Sequence, residues 1–471
     1  MSTSKQHKGT PCNDKPHNGK LRNDNSYNYT IHTFGCKVNT YDSGLLEKRL
    51  VESGFYRHKI HPHVHILNTC AVTAEATKEA QRRVRQIKAK NPLALVVVTG
   101  CAAQVDTHRF LEMKGADLIV ANSHKGQLED LIRQHSAGVL TKRVFKSNIF
   151  KKLDLEEGGG EESHHTRSFL KIQDGCNSFC TYCVIPFARG KSRSLSTHSL
   201  VRRVQELESQ GVKEVVLTGV HIGDYLDKNY SQKPGPEALL RGILKHTKIP
   251  RIRVSSLEPV EVSEELLEIY QDSRLCPHFH LSIQSVCDKT LYGMKRQYGV
   301  RQVESCLQRL ADKVSGAFVG MDVITGFPGE STENFCETYQ RLKALPWTRI
   351  HVFPYSSRPG TFAARMPDQV ERSQVLSRAR QLRGLSSVRY TQQALTQVGQ
   401  IKQVLILGGG KKQGLSRDYW SVQITAQELT AQELIPGLEL SVRILGFHHS
   451  PPGSGRQEGC LHGQVVQPSG N

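Results

Sequence analysis

The chain has 471 residues, enough for roughly two to four domains with sizeable cores. Its 37% hydrophobic content describes a soluble protein, and no apolar run approaches the ~18 residues of a membrane span, which excludes a membrane-spanning helix. A net charge of +19 makes polyanions, nucleic acid first, the leading partner class, and twelve cysteines in a chain with no secretory start argue for a cytoplasmic protein without a disulfide framework.

Residues 1–28 mix Lys, Asn, His, Gly, Pro and Ser and read as a disordered basic tail. A domain over 29–145 follows. Residues 30–35 form a predicted strand ending at Cys36, and Asp42-Ser43 is placed to cap the next helix. Val64–Asn68 is a second strand ending at Cys70, with a helix from about 74 to 90 after it. The apolar run 93–99 suits a buried parallel strand and ends at Gly100-Cys101, and 117–121 is a fourth strand. This βαβα order sets Cys36, Cys70 and Cys101 at the carboxyl ends of parallel strands, the edge where open α/β sheets bind ligands. Helix N-termini at that edge favour the negative charge of a thiolate-bound cluster. Three ordinary core cysteines are the alternative, but their shared edge argues for a metal cluster. The helix after Cys70 carries Lys78, Arg82, Arg83, Arg85, Lys88 and Lys90, either as a solvated face or as a phosphate-contacting surface.

Residues 146–165 are rich in Glu and Gly and read as a flexible linker. The core over 166–392 then opens with Cys176-Asn-Ser-Phe-Cys180-Thr-Tyr182-Cys183. Soft thiolates at this spacing suit zinc or an iron–sulfur cluster. A structural zinc site wants a fourth ligand nearby, and the next residues offer none, so a 4Fe–4S cluster with one open iron fits better. The spacing, with its aromatic residue before the last cysteine, resembles the radical S-adenosylmethionine (SAM) signature. Six strand-like segments, 168–174, 214–219, 251–257, 278–285, 317–326 and 349–355, alternate with helical patterns. Six units are fewer than the eight of a closed barrel and imply a partial (β/α)6 barrel. Polar and small residues gather at its strand ends: Thr218-Gly219 for close approach of the cofactor's amino-acid end, Ser255 and Glu258 for a ribose or amino group, and Gln284 as a further donor. A basic helix spans 371–392, and 393–448 reads as a small β-barrel of the kind that binds oligonucleotides. Residues 449–471 read as a frayed tail.

The order of cluster domain, SAM-type barrel and small β-barrel resembles the methylthiotransferase family over about residues 30–447. Three stretches are most similar to its bacterial threonylcarbamoyladenosine-tRNA branch: Thr33-Phe-Gly-Cys36-Lys-Val-Asn39-Thr-Tyr-Asp-Ser43, Asn68-Thr-Cys70-Ala-Val-Thr73 and Leu217-Thr-Gly-Val-His-Ile-Gly-Asp224-Tyr225. The resemblance implies an α/β fold class: an N-terminal α/β cluster domain, a partial radical-SAM barrel and a C-terminal TRAM-like RNA-binding barrel. It also implies two 4Fe–4S clusters, one on Cys176, Cys180 and Cys183 that binds SAM, the other on Cys36, Cys70 and Cys101 that holds or supplies sulfur. Tyr182, Thr218, Gly219, Ser255, Glu258 and Gln284 are the expected SAM contacts. The implied partners are the anticodon stem-loop of tRNA, an electron donor such as flavodoxin or ferredoxin, and a sulfur donor. Two positions depart from the pattern: Val286 stands where the family generally has Gly, and His221 where the branch tends to have Asn. Isopentenyladenosine in tRNA or a ribosomal-protein aspartate are rival substrates, and a non-catalytic iron–sulfur RNA-binding protein is a rival of another class.

Overall fold

A computed structural model describes residues 27–58, 60–158, 166–228, 235–408, 412–425, 435–449 and 459–466. The tail expected over 1–28 lies outside them except for Tyr27 and Asn28, which belong to the fold. Tyr27 stacks on Phe55, and Asn28 is buried and opens the first strand, β1 (Asn28–Thr33).

Alternation of apolar side chains builds the N-terminal domain around one parallel sheet. Its strands are β1, β2 (Tyr56–Arg57), β3 (Val64–Thr69), β4 (Leu95–Gly100), β5 (Leu118–Ala121) and β6 (Val144–Phe145). The order is β2-β1-β3-β4-β5-β6, which adds two short edge strands to the four legible in the sequence. Val96 and Val98 of β4 face one way, into a cluster with Val84, whereas Val97 faces the other, with Leu46 and Leu50. Helix α2 (Ala74–Lys90) therefore covers one face and helix α1 (Lys37–Glu52) the other. Thr73 caps α2 by accepting from the Ala76 amide at 3.2 Å.

Helix α1 begins directly after Cys36, so Asp42 and Ser43 lie inside it and do not cap it. Both are buried and spoken for elsewhere. Ser43 Oγ accepts from Thr33 Oγ1 at 2.7 Å and from Asn68 Nδ2 at 3.0 Å. Asp42 pairs with Lys171 at 2.6 Å, Arg189 at 3.0 Å and Lys125 at 3.1 Å. Tertiary demand for a buried carboxylate and hydroxyl outweighs their local preference for a cap.

The expected linker is docked over its first half. Ile149–Lys151 forms a 3₁₀ turn with Ile149 buried, and Arg49 of α1 grips Glu156. Residues 159–165 lie outside the described residues.

The core domain starts with β7 (Arg167–Lys171) and a two-stranded ribbon, β8 (Gln173–Asp174) and β9 (Arg193–Ser194), which brackets the cysteine loop. Parallel strands β10 (Glu214–Thr218), β11 (Arg251–Val254), β12 (Ser256–Leu257), β13 (His278–Gln284), β14 (Phe318–Thr325) and β15 (Arg349–Pro354) follow. The third expected strand bends at Ser255, splitting the wall into β11-β10-β7 and β12-β13-β14-β15. The result is the partial barrel that six units imply. Helices Thr197–Ser209, Pro236–His246, Glu264–Ile269, Val300–Lys313, Thr332–Ala344 and Arg372–Leu395 cover its outside.

The C-terminal domain closes as a barrel in the order β16-β17-β18-β20-β19, from β16 (Ile401–Ile406), β17 (Gln413–Ser416), β18 (Ser421–Ile424), β19 (Glu439–His449) and β20 (Gly459–Val465). Residues 459–465 are thus a strand and not part of a frayed tail over 449–471, and the domain runs past 448. Strand β20 pairs in parallel with β18 and antiparallel with β19, and its Leu461 is fully buried beside Val422, Val442 and Ile444. Among the described residues no helix is long and apolar enough to cross a membrane.

Candidate active site

The first cysteine loop hangs between β8 and β9. Gly175 sits at φ +82, and a Cβ there would lie 2.1 Å from the Lys191 carbonyl oxygen, so this tight return demands glycine. The Cys176 amide donates to the Gly190 carbonyl at 3.1 Å, and the Cys183 amide to that of Cys180 at 2.9 Å. Cys176, Cys180 and Cys183 are all free thiols. Burial first, then the nearby Cys180 and Cys176 sulfurs, push the Cys183 thiol up to about 12. Three soft donors crowded together at such a cost fit a metal that takes them as thiolates, and they fit an iron–sulfur cluster.

Two residues beside this loop carry its electrostatics. Arg296, which sequence reasoning missed, donates from Nη1 to Cys180 Sγ at 3.3 Å and from Nη2 to the Ser282 carbonyl at 2.8 Å. The same Nη2 lies 2.9 Å from Glu258. His221 Nδ1 lies 3.8 Å from Cys176 Sγ and 3.2 Å from Ser178 Oγ, and its Nε2 meets Glu261 at 2.5 Å. Burial lowers the His221 pKa, but hydrogen bonds with Asp224, Cys176 and Glu261 outweigh it and raise the pKa above the ordinary value. The departure at His221 therefore sits at the first cysteine. Val286, the other departure, is fully buried in the barrel core.

The second trio gathers on the sheet edge of the N-terminal domain. Cys36 precedes α1, Cys70 follows β3, and Cys101 follows β4. Gly35, at φ +89, packs so tightly on Cys70 that a Cβ would come within 2.6 Å of the Cys70 Cβ. Burial, then Cys101, pushes the Cys70 thiol up to about 12. Asn122 Nδ2 donates to Cys101 Sγ at 3.7 Å. This donor set also fits a cluster, and Arg189 lies within electrostatic reach of Cys101 and Cys36.

All three of these cysteines border a cavity of about 830 Å³. Thr218, Gly219 and Ser255 line it too. The structure brings these sequence-named residues together, but not the rest. Tyr182 packs against Met294 and Phe327, and Glu258 belongs to the Arg296–His221 network. Gln284 ends β13 at φ +64, where the register with β14 shifts.

The rest of the polar lining of the cavity comes from β13, β14 and β15. His280 and Ser282 of β13, Asp322 of β14, and Arg349, His351 and Phe353 of β15 all line it. His280 Nδ1 meets Ser256 Oγ at 2.6 Å and its Nε2 lies 3.0 Å from Asp322. Burial and the adjacent Arg349 push His351 down to about 4. A signal existed: these polar residues alternate with buried Phe279, Leu281, Met321, Val323, Ile350 and Val352, the period-two mark of a two-sided strand.

The basic surfaces divide into exposed and structural cations. On α2, Lys78, Arg82, Arg83, Arg85 and Lys90 are exposed, while Lys88 pairs with Asp117 at 2.7 Å. On the Arg372–Leu395 helix, Arg378 is buried on Glu330 at 2.8 Å, and Arg389 binds the Leu345 and Lys343 carbonyls over the Trp347 ring. Those two arginines are structural, while Arg372 and Arg380 are exposed.

A family model described as the Radical SAM superfamily matches residues 170–342, and one described as Uncharacterized protein family UPF0004 matches 28–121. The radical S-adenosylmethionine methyltransferase TsrM from Kitasatospora setae shares the fold, with a TM-score of 0.51 at 16% identity over 70% of this chain and 74% of that one. Barrel, cysteine loop and family match define a radical SAM protein. Threonylcarbamoyladenosine tRNA methylthiotransferase MtaB of Aquifex aeolicus is 37% identical over 73% of this chain and 85% of its own. The protein of the same name from Bacillus subtilis is 35% identical, over 76% and 79%. tRNA-2-methylthio-N(6)-dimethylallyladenosine synthase of Desulfotalea psychrophila is 30% identical, over 73% and 80%. The chain belongs to the methylthiotransferase family of radical SAM enzymes. Its cofactors are SAM, the 4Fe–4S cluster of the superfamily and the additional cluster of methylthiotransferases.

Proposed function

We propose that this protein converts N6-threonylcarbamoyladenosine beside the tRNA anticodon into its 2-methylthio derivative. The observation that carries the reading is the cavity of about 830 Å³ that Cys36, Cys70 and Cys101 line together with Thr218, Gly219 and Ser255. The relatives at 37% and 35% identity that bear this activity in their names support the choice of base. Cys176, Cys180 and Cys183 would hold the SAM-binding cluster, and Cys36, Cys70 and Cys101 the second one. When bound, SAM and the clusters supply the radical, the sulfur and the methyl group.

The chain's own part is to bind, orient and exclude water. Arg296 holds the Cys180 sulfur in place. The cavity takes a base swung out of the anticodon loop, with half-exposed Phe353 as an apolar surface for its ring. The exposed cations of α2 and the C-terminal barrel grip the phosphate backbone. A flavodoxin- or ferredoxin-type donor supplies electrons, and a separate donor renews the sulfur.

The test is mass spectrometry of tRNA nucleosides from cells with and without the gene. The expected outcome is loss of 2-methylthio-threonylcarbamoyladenosine with accumulation of its unthiolated precursor. An unchanged profile, or loss of the isopentenyl derivative in its place, contradicts the reading.

A further inference from the structure

Two cations line the cavity without counterions. Lys37 is the first residue of α1 and Arg349 the first of β15. Among the described residues, neither the Lys37 ammonium nor the Arg349 guanidinium makes an ion pair or side-chain hydrogen bond. Arg349 only lies over the Tyr390 ring, 5.3 Å from its centre. Arg189, the other lining cation, is committed to Asp42, Asp174 and Asn39. Asp322 is the one carboxylate among the described lining residues, and His280 holds it.

Lys37 follows Cys36 in sequence. Burial lowers its pKa, and the charges that act on its ammonium include those of Tyr419, Arg167, Arg253 and Asp322, all in the barrel or the C-terminal domain. Lys37 and Arg349 both act on the His351 ring, so the two cations share one pole of the cavity. That pole carries surplus positive charge in a partly desolvated space, where a charge-assisted bond to an anion is strong.

We propose that Arg349 and Lys37 bind the carboxylate of the threonyl group on N6 of the substrate adenosine. The inference rests on the function proposed above and adds how the cavity chooses its base. A dimethylallyl group has nothing to offer two unpaired cations, and a site built for a charged partner rejects the analogue that lacks it. The carboxylate fits the guanidinium through two parallel hydrogen bonds. A tRNA phosphate has the same anionic chemistry, and the experiment separates the two sources.

The measurement is the dissociation constant of anaerobically reconstituted holoenzyme for anticodon stem-loop RNAs at fixed salt. The RNAs carry threonylcarbamoyladenosine, its threonyl methyl ester, dimethylallyladenosine or plain adenosine. The wild-type protein is expected to prefer the free carboxylate over the ester by roughly tenfold or more. Arg349→Gln and Lys37→Met bring that ratio towards one, and Arg349→Lys retains part of it. Equal weakening for all four RNAs assigns the cations to a phosphate and overturns the proposal, as does an ester bound as tightly as the acid. The ester comparison uses unaltered protein, so misfolding of a variant cannot imitate it. Holoenzyme that methylthiolates the dimethylallyl RNA and not the threonylcarbamoyl RNA overturns the function itself. Modification of the threonylcarbamoyl RNA with no acid-over-ester preference overturns only the carboxylate site.

Discussion

Arg296 is the residue on which the first cysteine loop leans, joining the Cys180 sulfur to Glu258 and to the Ser282 carbonyl. A hydrogen bond to a ligating sulfur raises a cluster's reduction potential. Arg296→Met is expected to lower the potential read by anaerobic titration with electron paramagnetic resonance, while iron content stays near that of the wild type. The two cysteine trios are expected to divide the labour. Cys36→Ala leaves 5′-deoxyadenosine formation from SAM intact and abolishes sulfur insertion, whereas Cys180→Ala abolishes both; equal loss of cleavage in the two variants contradicts the division. The cysteines were readable because spacing and strand ends are sequence-local facts. Arg296 and Lys37 were not, since each becomes meaningful only where remote segments converge. The lining from β13–β15 stood between these cases: its alternation was visible, but which face of those strands turned inward was not.

At the scale of elements, hydrophobic period gave the parallel strands and their helices within a few residues. It failed where strands were short or glycine-rich. Strand β17 has four residues, and β20 (Gly459–Val465) contains two glycines in a Pro- and Gly-rich neighbourhood, so neither announces itself. The Asp42-Ser43 pair failed differently, as a good cap signal buried by tertiary contacts. Strand β20 closes the barrel, so Leu461→Ala is expected to destabilise that domain by about 2–5 kcal/mol. Limited proteolysis checks this: cleavage should concentrate C-terminal to 395, and tRNA affinity should fall while SAM cleavage persists. Protection equal to that of the wild type would remove β20 from the core of the domain.

Across the whole molecule, buried charge fixes one domain to another. Asp42 of the N-terminal domain meets Lys171 and Arg189 of the core domain, and Arg358 pairs with Asp106. Arg251 and Arg253 share Glu214 and reach the Leu415 and Arg417 carbonyls of the C-terminal domain. Removing one partner of such a cluster leaves the others uncompensated, so Asp42→Asn is expected to cost about 3–5 kcal/mol by chemical denaturation. Burial alone would raise the pKa of Asp42 and Asp174, but their cations outweigh it and hold both well below the ordinary value of 3.8. A depressed folded pKa contributes stability that is complete above about pH 4 and is lost as pH falls below it. Acid unfolding of the wild type should therefore steepen below about pH 4, and Asp42→Asn should flatten that limb. The exposed cations of α2 predict a separate effect: tRNA affinity that falls steadily with added salt, and with a shallower slope once Lys78 and Arg85 become Gln.

The parallel pairing of β18 with β20 has a consequence for biosynthesis. Domains fold largely in the order in which the ribosome releases them. Both cysteine trios lie ahead of residue 184, yet the C-terminal barrel cannot close until residue 465 has emerged. The ribosome therefore delivers every cysteine of both trios before the strand that seals the last barrel.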